Sequence, residues 1–333
     1  MKPRIAFSPG DPNGIGPEIA AKLLARSGNF DHADIVVYAD PATIAHGERI
    51  AGVKALVSPT NAPGRATLHA MSLGGEAAIT PGHATEAGGR AALASLTAAV
   101  DAAKRGDVQG IVFAPLNKHA LRLAGMTHED ELRWMAERLG AGGFTSEFNI
   151  TGDLWTSRVT SHVPLREVAD AITGEGVIDA VHIVNRYLVA SGIAKPRIAV
   201  AALNPHAGDG GSLGREEIDV IAPAIEVVRR EGIDVRGPLP SDTVFVAAKR
   251  GDYDAVVSMY HDQGQIAMKL MGFDSGVTLH GGLPVPVATC ASGTAFDIVG
   301  RNIANVEGLQ QAFLLAARIA ARTAATRPAL APA

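Results

Sequence analysis

Three histidines in this chain follow strand-like runs. Val159-Thr160-Ser161 leads into His162, Ala201-Ala202-Leu203 leads through Asn204-Pro205 into His206, and Ser258-Met259-Tyr260 leads into His261. Three neutral imidazoles plus a water form the donor set of a catalytic zinc-type site, and other divalent ions accept imidazole too. None of the three sits in a local HxH or HExxH pattern, so a shared site requires their strand ends to converge. Taken singly, each is as well explained as a hydrogen-bonded loop residue. Further polar groups stand nearby in the sequence. Asp242 lies beside rigid prolines, where it could equally cap a helix, and Lys269 follows His261 along an otherwise apolar stretch.

The elements that must carry these groups alternate. Apolar runs at Arg4–Ser8, Ile35–Tyr38, Gly110–Phe113, Arg158–Thr160, Arg197–Ala202 and Ala255–Met259 read as strands. Helical spacing covers Pro17–Arg26, Ala91–Lys104 and Glu129–Leu139, with further helix starts after Pro164 and near Arg215. Continuous apolar strands alternating with helices predict an α/β fold with largely parallel, doubly covered sheets. Ligands of such sheets bind outside the carboxyl ends of the strands. Two more strands run into polar loops, one at Gly10-Asp11-Pro12-Asn13-Gly14 and one at Asn117-Lys118, so five strand ends predict one shared site. The loop Gly10–Gly16 lacks G-x-G-x-x-G spacing, and two prolines stiffen it, which argues against a Rossmann dinucleotide site even with Asp40 at the end of the next strand. Its helix start could still hold an anion, or be only a tight turn. The glycines of Asn204–Gly211 would let a ligand approach the backbone. In Ser292–Arg301, Asp297 could serve the dipole of a helix that starts there.

With 333 residues the chain is long for one core, and two joined domains are expected. Charged residues make up 19% and aromatic residues 5%, the net charge is −4, and no Lys/Arg cluster is interleaved with aromatics, so nucleic acid is an unexpected partner. The single cysteine, Cys290, allows no internal disulfide and no multi-cysteine metal site, and points to the cytoplasm. No signal-peptide core or membrane-length apolar run is present. The Ala/Pro-rich tail after Arg322 is expected to fray.

The stretches GDPNGIGPEI, SHVPLREVADAI, LNPHAGDGG, GPLPSDTVF, MYHDQGQIAMK and SGTAFDIVGRN, in this order, resemble the 4-hydroxythreonine-4-phosphate dehydrogenase (PdxA) family. The resemblance implies a fold like that of isocitrate and isopropylmalate dehydrogenases, with two α/β/α domains and a central cleft. The expected division is 1–125 plus 270–325 for one domain and 126–269 for the other, which carries the metal ligands and dimer contacts. It implies a homodimer with shared active sites. His162, His206 and His261 match the family's metal ligands, with His261 supplied by the other subunit. Asp242 and Lys269 match substrate-contacting catalytic residues, His128 matches the histidine of a Gly-His-Thr motif, and Thr294 and Asp297 fall to the cofactor. The implied cofactors are NAD and a divalent cation such as zinc, magnesium or cobalt. The implied reaction oxidises a secondary alcohol β to a carboxylate and then decarboxylates. A divalent cation suits both steps, and Lys269 could neutralise the carboxylate or move a proton.

The resemblance breaks at the positions that grip phosphate. Glu129 stands where the family has threonine, Thr278 at its asparagine and Val287 at its arginine. Arginine is the usual bidentate phosphate partner and valine has no donor. The expectation is therefore a non-phosphorylated β-hydroxy acid, such as the cis-dihydrodiol of an aromatic dicarboxylate of terephthalate type, with 4-hydroxythreonine 4-phosphate as the alternative. His280 and Arg301 are the expected replacement contacts for a substrate anion, and Thr278 joins His128 and His280 as an expected substrate-binding residue. Two other classes compete: a metal-dependent lyase or hydrolase that needs no NAD, and a non-catalytic binding protein.

Overall fold

Residues 2–272 and 275–326 are described by the structure, a computed structural model. The chain forms two compact units, one built from the residues up to Ala141 together with those from Leu283 onward, the other from Gly142–Gly282. The described strands are β1 (Arg4–Ser8), β2 (Asp34–Ala39), β3 (Val57–Ser58), β4 (Ala66–Ala70), β5 (Gly110–Phe113), β6 (Ser146–Thr151), β7 (Leu154–Arg158), β8 (Arg197–Ala201), β9 (Asp234–Leu239), β10 (Ala255–Ser258), β11 (Val277–Gly281) and β12 (Val287–Cys290).

In the first unit the strands lie in the order β3-β4-β2-β1-β5-β12, and every pair is parallel. The order reverses between β1 and β5, where a doubly wound sheet opens a crevice at its carboxyl edge. β1, β2, β5 and β12 are largely buried on both faces, and Ala6, Val36, Ile111, Phe113 and Val287 join one core with Leu96, Val100 and Met135. The helix Glu86–Arg105 starts where the Thr85 side chain accepts the Gly88 N–H, and ends at Gly106 in the left-handed region. Such a cap contributes about 1 kcal/mol.

In the second unit the order is β11-β6-β7-β10-β8-β9. β11, β6 and β7 pair antiparallel, whereas β7, β10, β8 and β9 run parallel. The antiparallel half has two unlike faces. Phe148 and Trp155 point to the helix Gly174–Ser191, where the Tyr187 ring lies 5.2 Å from that of Phe148. The opposite face carries Glu147, Asn149, Arg158, Thr278 and His280 beneath the helix His261–Met271.

Several expectations need correction. Only Arg158 of the expected strand 158–160 is paired in β7, which begins four residues earlier at Leu154. A helical segment does start after Pro164, as a 3-10 turn followed by one helical turn, Val168–Ala171. No helix starts at Asp297; turns run from Ala295 to Asn302, and the helix begins at Glu307. That helix continues to Thr326, past Arg322, and the rest of the tail lies outside the described residues. The change from one unit to the other falls after Ala141 and Gly282.

The helices Glu86–Arg105 and Lys118–Leu123 touch where Gly89 leaves no room: a Cβ there would lie 2.0 Å from the Ala120 carbonyl oxygen. Gly89→Ala must push the two helices apart and should cost about 1–3 kcal/mol in urea unfolding. Gly28→Ala is the control, with helical backbone and open space around it, and should change stability by less than about 1 kcal/mol. Equal effects from the two substitutions would contradict this packing.

Candidate active site

The three histidines leave one edge of the second unit's sheet. β7, β10 and β8 are neighbouring parallel strands, with Ser258 opposite Arg158 and Val257 opposite Val200. Their carboxyl ends are therefore level. His162 follows Arg158, His261 follows Ser258, and His206 follows Ala201, each within a few residues. The His162 and His261 rings stand 5.7 Å apart between centroids. His206 lies on the neighbouring loop. Among the described residues, the three histidines of one chain do not form a trio with donor atoms within 4.8 Å of one another.

Each histidine is presented by a built turn. The β7 end is stitched to the β10 end, as the Thr160 N–H and Oγ1 both donate to the Met259 carbonyl, at 3.1 and 2.7 Å. His261 opens the helix His261–Met271, and its Nδ1 lies 2.7 Å from Asp262 Oδ1. A carboxylate on Nδ1 fixes the ring and leaves Nε2 for a ligand, as metal-binding histidines commonly require. His206 sits in an unusual turn: His206, Ala207, Gly208, Asp209 and Gly210 all have positive φ. Left-handed backbone costs about 1–2 kcal/mol for each residue with a Cβ, and such strain gathers at functional sites. The buried Glu217 carboxylate holds the entry to this turn by accepting the Leu203 and Asn204 N–H groups, at 2.8 and 2.7 Å. Gln263 ties the edge together. Its Oε1 accepts the Met259 N–H, while its Nε2 donates to the Ala202 carbonyl and to Ser241 Oγ. Ser241 begins the helix that holds Asp242 in its first turn. Asp242 and Lys269 are both exposed.

The residue set fits a divalent cation, since imidazoles from three adjacent strand ends are the donors such ions accept. His280 and Thr278 lie on the polar face of the same unit. His280 is buried, 4.0 Å from Glu147, and Thr278 accepts from Asn149 Nδ2 at 3.4 Å. Burial alone would raise the Glu147 carboxyl pKa, but His280, Arg158 and His162 outweigh it and hold the group below the ordinary glutamate range.

The remaining expected residues belong to the first unit. His128 Nε2 is 2.6 Å from Glu137, and Glu129 faces Arg133 at 3.4 Å. Thr294 is buried, its carbonyl accepts the Ile15 N–H, and its hydroxyl lies 3.4 Å from Asn117 Nδ2. Asp297 is exposed, and Gly293 has open space where a Cβ would stand. Arg301 is exposed and donates to the Asp297 carbonyl at 3.5 Å. Asp40 uses both oxygens on the N–H groups of Ala42, Leu73 and Gly75, which removes it as a ribose partner of Rossmann type. Val287 is completely buried in β12, inside the core.

The sequence reading missed Asp11 as a titrating group. It is wholly buried at the carboxyl end of β1; Oδ1 accepts the Asn13 N–H, and Oδ2 has no hydrogen-bond partner. Nothing in its neighbours' identities signals this, because the burial comes from the loop closing over it.

Comparison with known proteins shows the family to which the chain belongs. The model of the "Pyridoxal phosphate biosynthetic protein PdxA" family matches residues 31–316. The chain belongs to the PdxA family. It is 50% identical over 95% of its length, and 97% of the relative, to a Pseudomonas aeruginosa protein named "Putative 4-hydroxythreonine-4-phosphate dehydrogenase 2". A crystal structure of the 4-hydroxythreonine-4-phosphate dehydrogenase of Klebsiella pneumoniae is similar with a TM-score of 0.81 at 35% identity, covering 96% of this chain and 98% of that one. A terephthalate 1,2-cis-dihydrodiol dehydrogenase from Burkholderia xenovorans LB400 has the same coverage with a TM-score of 0.67 at 28% identity. A β-decarboxylating dehydrogenase of Thermococcus kodakarensis, at 15% identity with a TM-score of 0.52 over 94% of this chain and 82% of that one, shares the fold. PdxA-family membership makes this a chain of a dehydrogenase family, with the mixed α/β architecture the sequence implied. The described helices include none long and apolar enough to cross a membrane.

Burial lifts the Asp11 carboxyl pKa to about 6, against a smaller lowering by the Asn13 N–H. A raised acid is kept protonated by the fold, so its contribution is present below the unfolded pKa near 3.8 and is lost as pH rises through about 6. Between about pH 3.5 and 7 the wild type should lose about 3 kcal/mol relative to Asp11→Asn in urea unfolding. A pH-independent difference between the two proteins would contradict this.

Proposed function

We propose that this chain is an NAD- and divalent-metal-dependent dehydrogenase that oxidises and decarboxylates 4-hydroxythreonine 4-phosphate. What supports the reading is that His162, His206 and His261 follow neighbouring parallel strands at one sheet edge in a PdxA-family chain. The names of its relatives favour this substrate. The dihydrodiol of terephthalate type, expected from the altered phosphate positions, is not carried forward: the relative at 50% identity bears the other name, and the terephthalate enzyme is only 28% identical.

His162, His206 and His261 would hold the cation. Bound there, it supplies a Lewis acid for the negative charge that develops on oxygen. Thr294 and Asp297 would position NAD, which takes the hydride. The substrate alcohol would give its proton to solvent and its hydride to that cofactor, the bond to its carboxylate would break to release carbon dioxide, and the electron pair left on carbon would take up a proton. Lys269, exposed two turns along from His261, holds the carboxylate and then delivers that proton. Asp242 orients the substrate from the neighbouring helix start, and Thr278 and His280 complete the binding groups on this unit. The side chain of Val287 is enclosed in the core, so donors at other positions must hold the phosphate.

The reading includes a homodimer with shared sites. The helix His261–Met271 exposes Ile266 and Leu270, one turn apart, at 61% and 84%, and Val246 on the helix Ser241–Lys249 is 57% exposed. Apolar surface of this kind is what a second copy covers. In this reading His261 is supplied across that interface, from the other subunit.

NADH formation by metal-loaded protein should follow addition of 4-hydroxythreonine 4-phosphate and drop at least about 100-fold in His162→Ala and in His261→Ala. Turnover of the dephosphorylated acid alone would move the substrate to a non-phosphorylated β-hydroxy acid. Product formed without NAD would make the protein a metal-dependent lyase or hydrolase.

A further inference from the structure

The polar face of the second unit's sheet is organised in a row. Strand register sets His280 opposite Glu147, Glu147 level with Arg158, and Arg158 opposite Ser258. Arg158 is only 6% exposed, at the last position of β7, four residues before His162. Its guanidinium reaches three side chains, two on β6 and one in the turn after β7. Nη2 donates to Glu147 at 2.6 Å, Nη1 to Asn149 Oδ1 at 3.0 Å, and Nε to Ser161 Oγ at 3.0 Å, next to His162. Asn149 Oδ1 also accepts from Gln265 Nε2 at 2.6 Å. Gln265 lies on the helix His261–Met271, one turn from His261 and one turn from Lys269, so the three share a stripe along that helix.

One oxygen of Asn149 thus joins the turn that presents His162 to the helix that presents His261 and Lys269. We infer that Arg158 is a positioning residue, which through Asn149 and Gln265 fixes the His162 turn against the His261–Lys269 helix. This rests on the metal reading above. A buried Arg–Glu pair contributes little stability over well-packed apolar residues, so its placement at this edge calls for a different role. The fork geometry is the reason for arginine. A lysine keeps the charge but cannot hold Glu147, Asn149 and Ser161 in one plane. Residues that orient metal ligands from behind typically change metal affinity about 10–100-fold when altered.

The test is Co2+ binding to the full chain, read by affinity and by the visible ligand-field spectrum, together with thermal melting. The variants are Arg158→Lys, Gln265→Leu and His162→Ala. Wild type should bind Co2+ with a spectrum that His162→Ala abolishes. Arg158→Lys and Gln265→Leu should weaken Co2+ binding about 10–100-fold and shift the spectrum. The inference requires this of variants that keep wild-type melting. If Arg158→Lys fails to fold, Gln265→Leu carries the test, since it removes only the link to the helix. Unchanged affinity and spectrum in folded Gln265→Leu would overturn the inference while leaving the metal reading intact. Wild type that binds no Co2+, or binds it equally after His162→Ala, would overturn the metal reading and the inference with it.

Discussion

β10 runs between β7 and β8, parallel to both, and this pairing decides where the chemistry can sit. Parallel neighbours must finish at the same edge. Three such strands are each followed within a few residues by a histidine, so all three histidines enter the chain at the same sheet edge. The loops then supply orientation: the Asp262 carboxylate on His261, the left-handed turn of His206, and Gln263 bridging Ala202, Met259 and Ser241. Backbone groups at this edge are satisfied by one another, by the Gln263 amide and by the Glu217 carboxylate.

The polar face behind the edge follows from the change of strand direction. β11, β6 and β7 are antiparallel, so alternate residues face opposite sides. Phe148 and Trp155 supply the apolar side, while Glu147, Asn149 and Arg158 must lie on the other. There the helix His261–Met271 covers them and brings Gln265 into the network. The same alternation therefore gives the unit its core and gives the histidine edge a buried polar support.

Much of this was legible in the sequence, for definite reasons. β1, β5, β8 and β10 are continuous apolar runs, which is how doubly covered parallel strands read. The histidines after β7, β8 and β10 were recognisable as strand-end residues from the runs before them. β6, with the sequence Ser-Glu-Phe-Asn-Ile-Thr, was not recognised, because half of it is polar and its other face is closed only by a helix from elsewhere in the chain. β7 was placed too late for the same reason, since Thr156 and Arg158 interrupt its apolar pattern. Arg158 thus passed for a strand-start charge although it is a buried anchor. Asp11 was invisible as an acid of raised pKa, because burial is a property of the folded loop and not of the residues beside it. Val287 could be seen to lack a phosphate donor, but only the structure puts its side chain in the core.

The most direct measurement of the central claim is anomalous scattering from crystals grown with Co2+ or Zn2+ and NAD. The account predicts one metal peak per chain, in contact with His162 and His206 and with His261 of the partner subunit. A peak away from all three histidines, or none in protein that still turns over substrate, would contradict it.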